Sequence, residues 1–177
     1  MTTCKLIKIT DKNKHSLIRI TSDKDTMNSI GNGQIWDEKQ VDNFIYYNLV
    51  DNKQSLDLRT NFYWGMTISK SNEKDEFIGI VGIHTIKYGK SQNKFYVTIF
   101  IDKTQVNRGY GTVFLKMAIR KFIKLKPDTP IYADIEESNI ASQKLHINIG
   151  FKPIGKIHKI SPKSPKMYQT YIIHNLI

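Results

Sequence analysis

The 177-residue sequence is poor in residues that cross-link or interrupt a chain: one cysteine, five prolines and ten glycines. The single Cys4 excludes an internal disulfide and any zinc site built from several cysteines. The longest apolar runs, such as Val97 to Ile101, fall far short of the roughly 20 residues that cross a bilayer. The N-terminus lacks the apolar segment of a secretory signal. These absences predict a soluble, cytoplasmic protein with no membrane partner.

The residues that are present predict one folded domain. Hydrophobic residues make up 40% of the chain and aromatic residues 11%, which is enough apolar material to bury a core. Neither an internal repeat nor a linker rich in proline, glycine and serine divides the sequence. We therefore predict a single domain over residues 1–177, a length that is ordinary for one domain.

Positive charge exceeds negative charge. Lysine and arginine total 27 against 16 aspartate and glutamate residues, which gives a net charge of +11 at pH 7. This balance suits an anionic partner, such as nucleic acid, an anionic membrane surface or a phosphorylated cofactor. The lysines are spread from Lys5 to Lys166 instead of forming a basic tail, so a solvated basic surface explains the charge equally well.

The hydrophobic pattern predicts an α+β domain. Asp37 is suited to cap a helix, and Gly150 is suited to end one. The predicted elements are, in order, a hairpin at 6–9 and 17–21, a helix at 37–49, strands at 62–69, 77–86 and 94–101, a helix at 111–124, a strand at 131–135, a helix at 140–148, and strands at 151–160 and 167–175.

The segment 97–112 is the most informative part of the chain. A predicted strand is followed by a short loop and by a helix whose entrance contains Gly109 and Gly111. Glycine lets the backbone approach a ligand closely, and the free N–H groups of a first helical turn favour an anion such as pyrophosphate. Arg108 adds positive charge. The spacing matches neither a Walker loop nor a complete dinucleotide fingerprint, so an ordinary tight turn stays open as an alternative.

Two motifs resemble those of one enzyme superfamily. Residues 108–113, Arg-Gly-Tyr-Gly-Thr-Val, are similar to the Arg/Gln-x-x-Gly-x-Gly/Ala loop that binds the acetyl-CoA pyrophosphate in the GNAT superfamily of N-acetyltransferases; Val113 is the departure. Residues 139–151, which begin with Asn-Ile-Ala-Ser and end in Gly-Phe, resemble the second GNAT signature. The sequence is most similar to the branch of ribosomal-protein N-terminal acetyltransferases, and the likeness covers residues 36–151.

The resemblance implies the GNAT fold and acetyl-CoA as co-substrate. In that fold about four helices flank a mixed sheet of six to seven strands, and the fourth and fifth strands splay apart to admit the pantetheine arm. Here the fourth strand is 97–101, and a backbone N–H near Phe100 or Ile101 would polarise the acyl carbonyl. The residues implied to bind acetyl-CoA are Phe100, Ile101, Val106, Asn107, Arg108, Gly109, Tyr110, Gly111, Thr112, Val113, Asn139 and Ser142.

The implied reaction is direct attack of a primary amine on the thioester, with no covalent intermediate on the enzyme. The amine is mostly protonated at neutral pH and must lose a proton first. Asp134 lies on the fifth strand, where some relatives carry a glutamate base. It would accept the proton directly or, because aspartate is short, through a water molecule; Asp102, Glu136 and Glu137 are competitors. His146 replaces a tyrosine that protonates the leaving thiolate in many relatives, and it takes that role, hydrogen-bonds the sulfur or only packs.

No metal site is predicted, because the histidines lie far apart in the sequence without cysteine or carboxylate partners. The acceptor amine stays open between a protein or peptide α-amine and a small amine, with acceptor-binding regions expected at 31–47 and 156–166. Aromatic residues that would either line the acceptor pocket or belong to the core are Trp36, Tyr46, Tyr47, Trp64 and Tyr168.

Two functions without catalysis stay open as alternatives. The chain could be a domain that binds CoA without turnover, or a basic nucleic-acid-binding module on the same scaffold. The sequence contains no RNP-like aromatic motif, recognition-helix signature or basic block, which makes nucleic acid the less favoured partner. Nothing in the sequence fixes an oligomeric state.

Overall fold

A seven-stranded mixed sheet organises the chain. The computed structural model describes residues 2–28, 33–71, 74–86, 94–159 and 165–174. The strand order is β1-β2-β3-β4-β5-β7-β6, and every neighbouring pair is antiparallel except β4 with β5. The strands are β1 (Thr3–Ile7), β2 (Asn61–Ser69), β3 (Glu76–Thr85), β4 (Phe95–Ile101), β5 (Ile131–Glu136), β6 (Lys152–His158) and β7 (Tyr168–Ile173).

Five α-helices flank this sheet within the described residues. They are α1 (Lys14–Thr21), α2 (Lys24–Asn28), α3 (Glu38–Asp51), α4 (Tyr110–Leu125) and α5 (Ile140–Ile149). Together the helices and the mixed sheet confirm the predicted α+β class.

The apolar spacing of α4 explains its position against the sheet. Phe114, Leu115, Ala118, Ile119 and Phe122 are all buried and recur at helical spacing, so one face of the helix is apolar. This face packs into a core cluster formed by inward side chains of β2, β3, β5 and β7. The prediction of a helix at 111–124 is confirmed.

The predicted helix ends at Asp37 and Gly150 are also confirmed. The Asp37 carboxylate accepts a hydrogen bond from the Gln40 backbone N–H at 2.7 Å, while the Gln40 side chain accepts one from the Asp37 N–H at 2.8 Å. This capping box satisfies N–H groups at the start of α3 that have no partner inside the helix. Gly150 ends α5 with φ = 113°, a left-handed conformation that favours glycine.

The predicted N-terminal hairpin is wrong. Only its first half forms a strand, β1, which pairs with β2; residues 17–21 belong to α1. Leu17, Ile20 and Thr21 are buried, and their spacing of i, i+3 and i+4 is that of one helix face. The same residues also alternate between apolar and polar, which is why the sequence alone suggested a strand. The predicted turns at 31–32, 72–73 and 87–90 lie outside the described residues.

The strands β4 and β5 separate soon after they begin, which confirms the predicted splay. Only two residue pairs join them, Phe95 with Ile131 and Tyr96 with Tyr132. Beyond these pairs β4 continues along β3, and β5 continues along β7. A gap therefore opens inside the sheet between the second halves of β4 and β5.

Two core clusters pack against the sheet. The larger cluster includes the edge-to-face and tilted ring contacts of Phe122 with Phe62 and Phe95, with centroids 5.2 and 5.0 Å apart. The smaller cluster contains buried residues of α1, α2 and α3 together with Ile80 and Phe100 of the sheet. Helices thus cover both faces, and the sheet buries apolar side chains on each.

We expect Phe122→Ala to lower the free energy of unfolding by about 3–5 kcal/mol, because it empties a fully buried site that two other rings contact. Urea unfolding followed by circular dichroism measures the loss. Arg120→Ala, on the exposed face of the same helix, is the control and should change the value by less than about 0.5 kcal/mol. Equal stability of the two variants would contradict this account of the core.

Candidate functional site

A cavity of about 530 Å³ lies in the gap between β4 and β5 and extends to the N-terminal ends of α4 and α5. Most of the residues predicted for cofactor binding and catalysis line it. These are Ile101, Val106, Asn107, Gly109, Tyr110, Gly111, Thr112, Asp134, Asn139, Ser142 and His146. The remaining three, Phe100, Arg108 and Val113, are not among its lining residues.

The backbone of β4 presents unpaired groups to the cavity. The Asp102 N–H donates to the Ile78 carbonyl on β3 at 2.8 Å. Because backbone groups alternate between the two sides of a strand, the N–H groups of Ile99 and Ile101 point away from β3 and into the gap. Of the two predicted donors to the acyl carbonyl, Ile101 therefore faces the gap. The Phe100 side chain packs in the smaller core, with its ring 5.7 Å from that of Trp36.

The loop before α4 brings backbone N–H groups to the cavity. Asn107 and Gly109 adopt left-handed conformations, with φ = 60° and 80°, and Gly109 is the N-cap of α4. A Cβ atom on Gly111 would lie 2.6 Å from Cδ1 of Leu145, so glycine allows α4 and α5 to approach each other here. The N-terminus of α4, a helix of 16 residues, therefore faces the cavity. The helix dipole places a positive partial charge there.

Asp102 fixes the start of that loop. Its buried carboxylate accepts hydrogen bonds from the Thr104 N–H at 2.9 Å and the Thr104 hydroxyl at 2.7 Å. It also forms an ion pair with Arg19 of α1. A second ion pair, between Asp23 and Lys103, makes a parallel connection. The α1–α2 segment is therefore joined to the loop that leads into α4.

Among the described residues, Asp134 is the one of the four carboxylates predicted as possible bases that lines the cavity. It accepts a hydrogen bond from the Thr170 hydroxyl at 2.6 Å, and His158 Nε2 lies 3.9 Å from the same oxygen. Glu136 is instead paired with Lys166 at 2.9 Å. Although burial raises the pKa of Glu136, hydrogen bonds from Lys166 and Ser138 hold it below its ordinary value.

His146 is buried at the inner end of the cavity. Its Nδ1–H donates to the Ser142 carbonyl at 2.8 Å, and its ring meets the Phe151 ring edge to face at 5.0 Å. Burial lowers the pKa of His146 to about 4, so the imidazole is neutral at pH 7. In this state Nε2 has a lone pair and no proton to donate, which favours the packing role over the acid role.

Asn139 performs a structural task as well as lining the cavity. Its side chain accepts a hydrogen bond from the Ser142 N–H at 3.0 Å and caps α5. This cap fixes the start of the helix that carries Ser142 and His146. The second sequence motif thus positions one wall of the cavity through backbone geometry.

The aromatic residues considered for an acceptor pocket do not line this cavity. Trp64 is buried in the larger core, Trp36 packs on Phe100, and Tyr168 is buried. Tyr46 and Tyr47 lie on the exposed side of α3, with 62% and 63% of their surface accessible.

The sequence analysis missed the part of the cavity formed by Asp25 and Thr26 of α2 and by Thr98 of β4. The helix α2 was not predicted, so the first two had no place in a fold. Because side chains two residues apart on a strand share a face, the predicted strand would have placed Thr98 on the same face of the sheet as Phe100. Residues 31–32 and 160–164 of the expected acceptor regions lie outside the described part of the chain.

Within the described residues, no cluster of histidine, cysteine, aspartate or glutamate is arranged to hold a metal ion. The helices of the same residues are all too short or too polar to cross a membrane.

Sequence comparison identifies the family of the protein. The family model described as the acetyltransferase (GNAT) domain matches residues 5–152. The chain therefore belongs to the GNAT family of acetyltransferases. Comparison with curated proteins gave no significant match.

Solved structures agree with this assignment. A GNAT-family acetyltransferase from Bacillus anthracis has a TM-score of 0.73 and 19% identity, over 96% of this chain and 92% of that chain. A ribosomal-protein-alanine N-acetyltransferase from Brucella melitensis has values of 0.74 and 15%, over 97% and 99%. A spermidine N-acetyltransferase from Vibrio cholerae, solved with CoA and spermine, has values of 0.72 and 11%, over 97% and 94%. The likeness confirms the GNAT fold.

The neutral state of His146 predicts a pH dependence of stability. A histidine in the unfolded chain takes up a proton near pH 6.5, whereas folded His146 does so near pH 4. The unfolded state therefore binds more protons in this window, and stability falls as the pH drops, by roughly 3 kcal/mol at most.

His146→Asn removes this contribution and keeps an amide donor for the Ser142 carbonyl. We expect the difference in unfolding free energy between wild type and the variant to shrink from pH 7 to pH 4.5 in urea titrations. The exposed His15→Asn is the control for replacing a histidine by asparagine. A constant difference for His146→Asn would contradict the buried neutral imidazole.

Proposed function

We propose that the protein transfers an acetyl group from acetyl-CoA to a primary amine by direct attack of the amine on the thioester. The observation that carries the proposal is one continuous cavity that connects the glycine-rich end of α4, the free edge of β4 and the carboxylate of Asp134. These three parts correspond to an anion site, a hydrogen-bonding edge and a proton acceptor.

Acetyl-CoA would lie with its pyrophosphate at the first turn of α4. The N–H groups of Tyr110, Gly111 and Thr112 and the positive helix end favour the phosphates there, and Arg108 adds charge from the solvent side. The pantetheine arm would run along β4 and pair with the backbone of Ile99 and Ile101, as an additional strand would. The similar structure from Vibrio cholerae was solved with CoA, which supports CoA as the class of ligand.

Asp134 is proposed to receive the proton that the ammonium group must lose, through a water molecule. Aspartate is short, and the Thr170 hydroxyl holds the carboxylate in place at 2.6 Å. The N–H of Ile101 would stabilise the oxyanion that forms when the neutral amine attacks the carbonyl.

The leaving thiolate needs little help from an acid. A thiol has a pKa near 8.5, so the CoA thiolate departs readily near neutral pH and takes a proton from water. We therefore propose that His146 supports the cavity wall and is not the acid.

The acceptor is proposed to be a primary amine with its ammonium form attracted by Asp25 and Asp134, which both line the cavity. The α-amine of a protein or peptide has a reference pKa of 7.7–8.0, well below that of lysine, and is therefore the easier amine to deprotonate. The similar structures include enzymes whose names specify a ribosomal protein and a polyamine, so both classes belong in an acceptor screen.

Calorimetric titration should show saturable, one-to-one binding of acetyl-CoA. Arg108→Ala should weaken binding about tenfold, since a hydrogen bond to a charged group contributes about 1.5–3 kcal/mol. Lys124→Ala, at the far end of the same helix, is the charge-matched control and should bind as wild type does. A protein that binds neither acetyl-CoA nor desulfo-CoA would refute the proposed function.

Asp134→Asn should lower kcat about 100-fold, which is the usual range for loss of a general base, and leave the acetyl-CoA Kd unchanged. Thiol release with a panel of spermidine and of peptides with free N-termini gives the rates. Glu137→Gln, an exposed carboxylate just beyond β5, is the control and should turn over normally. Normal turnover of Asp134→Asn would remove this residue from the mechanism and leave the acetyl-transfer proposal standing.

A further inference from the structure

The side of the gap that faces Asp134 is formed by Thr98. The last residues that pair across β4 and β5 are Tyr96 and Tyr132, whose rings lie 5.6 Å apart on one face of the sheet. Two residues further along each strand, Thr98 and Asp134 point to that same face because side chains alternate. Both line the cavity. The two side chains therefore flank the gap where the strands begin to separate.

The Thr98 hydroxyl has a fixed partner on its other side. His84 Nε2 lies 2.9 Å from Thr98 Oγ1, and His84 Nδ1 lies 3.3 Å from the Thr85 carbonyl oxygen. A carbonyl oxygen only accepts, so Nδ1 holds the ring proton and Nε2 holds a lone pair. Burial lowers the pKa of His84, which keeps the ring neutral. Consequently the Thr98 hydroxyl donates its one proton to His84.

This arrangement makes Thr98 an acceptor toward the cavity. Once its proton is directed to His84, the oxygen has only a lone pair to offer a ligand. The ring of Tyr63 stacks on His84 at 5.4 Å with a 17° interplanar angle and fixes the imidazole in place. The gap is thus flanked by two hydrogen-bond acceptors, one on each strand.

A neutral primary amine has two N–H groups and one lone pair. Two acceptors on opposite sides of the gap would hold both N–H groups, one by Thr98 and one by Asp134 or its water molecule. The lone pair is then left to point at the thioester carbonyl, which is the geometry that attack requires. A secondary amine has one N–H group fewer and cannot satisfy both acceptors.

We propose that Thr98 is a catalytic residue that accepts a hydrogen bond from the attacking amine, and that His84 is the positioning residue that orients its hydroxyl. The inference rests on the proposed function and assigns to Thr98 a part in discriminating primary from secondary amines. No bond forms or breaks at Thr98. The ammonium group loses its first proton to Asp134 through water, and Asp134 releases that proton to solvent. The second proton leaves the nitrogen after attack and passes through water to the departing thiolate.

The test compares Thr98→Val, which keeps the shape and removes the hydroxyl, with Thr98→Ser, which keeps the hydroxyl. Each variant is assayed by thiol release with the best amine of the panel and with the N-methyl derivative of that amine. We expect Thr98→Val to lower kcat about tenfold for the primary amine and to change the N-methyl rate little, so that selectivity for the primary amine falls. Thr98→Ser should stay within about threefold of wild type on both measures.

A merely structural role for Thr98 would lower both rates together and leave the selectivity unchanged, and that result would overturn the proposal. Acetyl-CoA titration of wild type and of each variant separates a failure of the proposed function from a failure of the Thr98 assignment. If wild type does not bind acetyl-CoA, the proposed function fails. If it binds and turns over, and Thr98→Val retains wild-type selectivity, the assignment of Thr98 alone fails.

The hydrogen-bond direction can be tested without any acceptor. Nitrogen-15 spectra of the histidine rings should show His84 protonated at Nδ1 and bare at Nε2, and Thr98→Val should shift the Nε2 resonance. A proton on Nε2 would mean that His84 donates to Thr98, and the hydroxyl proton would then point into the gap. That result would overturn the proposal even if no amine in the panel reacted.

Discussion

The structure depends on the separation of two strands that begin as neighbours. After two residue pairs, β4 stays paired only with β3, and β5 stays paired only with β7. The sides of β4 and β5 that face each other therefore have no strand partner. Unpaired N–H and C=O groups inside a protein cost free energy unless something else pairs with them. A ligand with amide groups at strand spacing can pair with them, and the proposed function assigns this role to the pantetheine arm.

The two strands stay apart because each is held by contacts with different elements. Full-length pairing with β7 holds β5, while Phe100 anchors β4 in the smaller core with α1, α2 and α3. The Arg19–Asp102 and Asp23–Lys103 ion pairs connect these helices to the end of β4. Contacts between residues that lie far apart in the sequence therefore hold the gap between β4 and β5 open.

Local sequence signals predicted the elements that have clear capping residues or a clear hydrophobic period. The other elements depend on contacts between distant parts of the chain. The helix α4 and the caps Asp37 and Gly150 follow from nearby residues, so the sequence was sufficient for them. Residues 17–21 fit two periods, and only packing against the sheet selected the helix. Likewise, the resemblance singled out residues 108–113 as the candidate cofactor loop, whereas the juxtaposition of Thr98 with His84 required the register of β4 on β3.

The contact of α4 with α5 at Gly111 has a consequence for how such an enzyme is controlled. Both helices line one cavity, and in the proposed reaction its polar groups would contact the nucleotide and pantetheine portions of acetyl-CoA. Free CoA carries the same portions and would compete on nearly equal terms in the proposed reaction. Turnover would therefore follow the ratio of acetylated to free CoA, and the protein would respond to the acetyl supply of its surroundings.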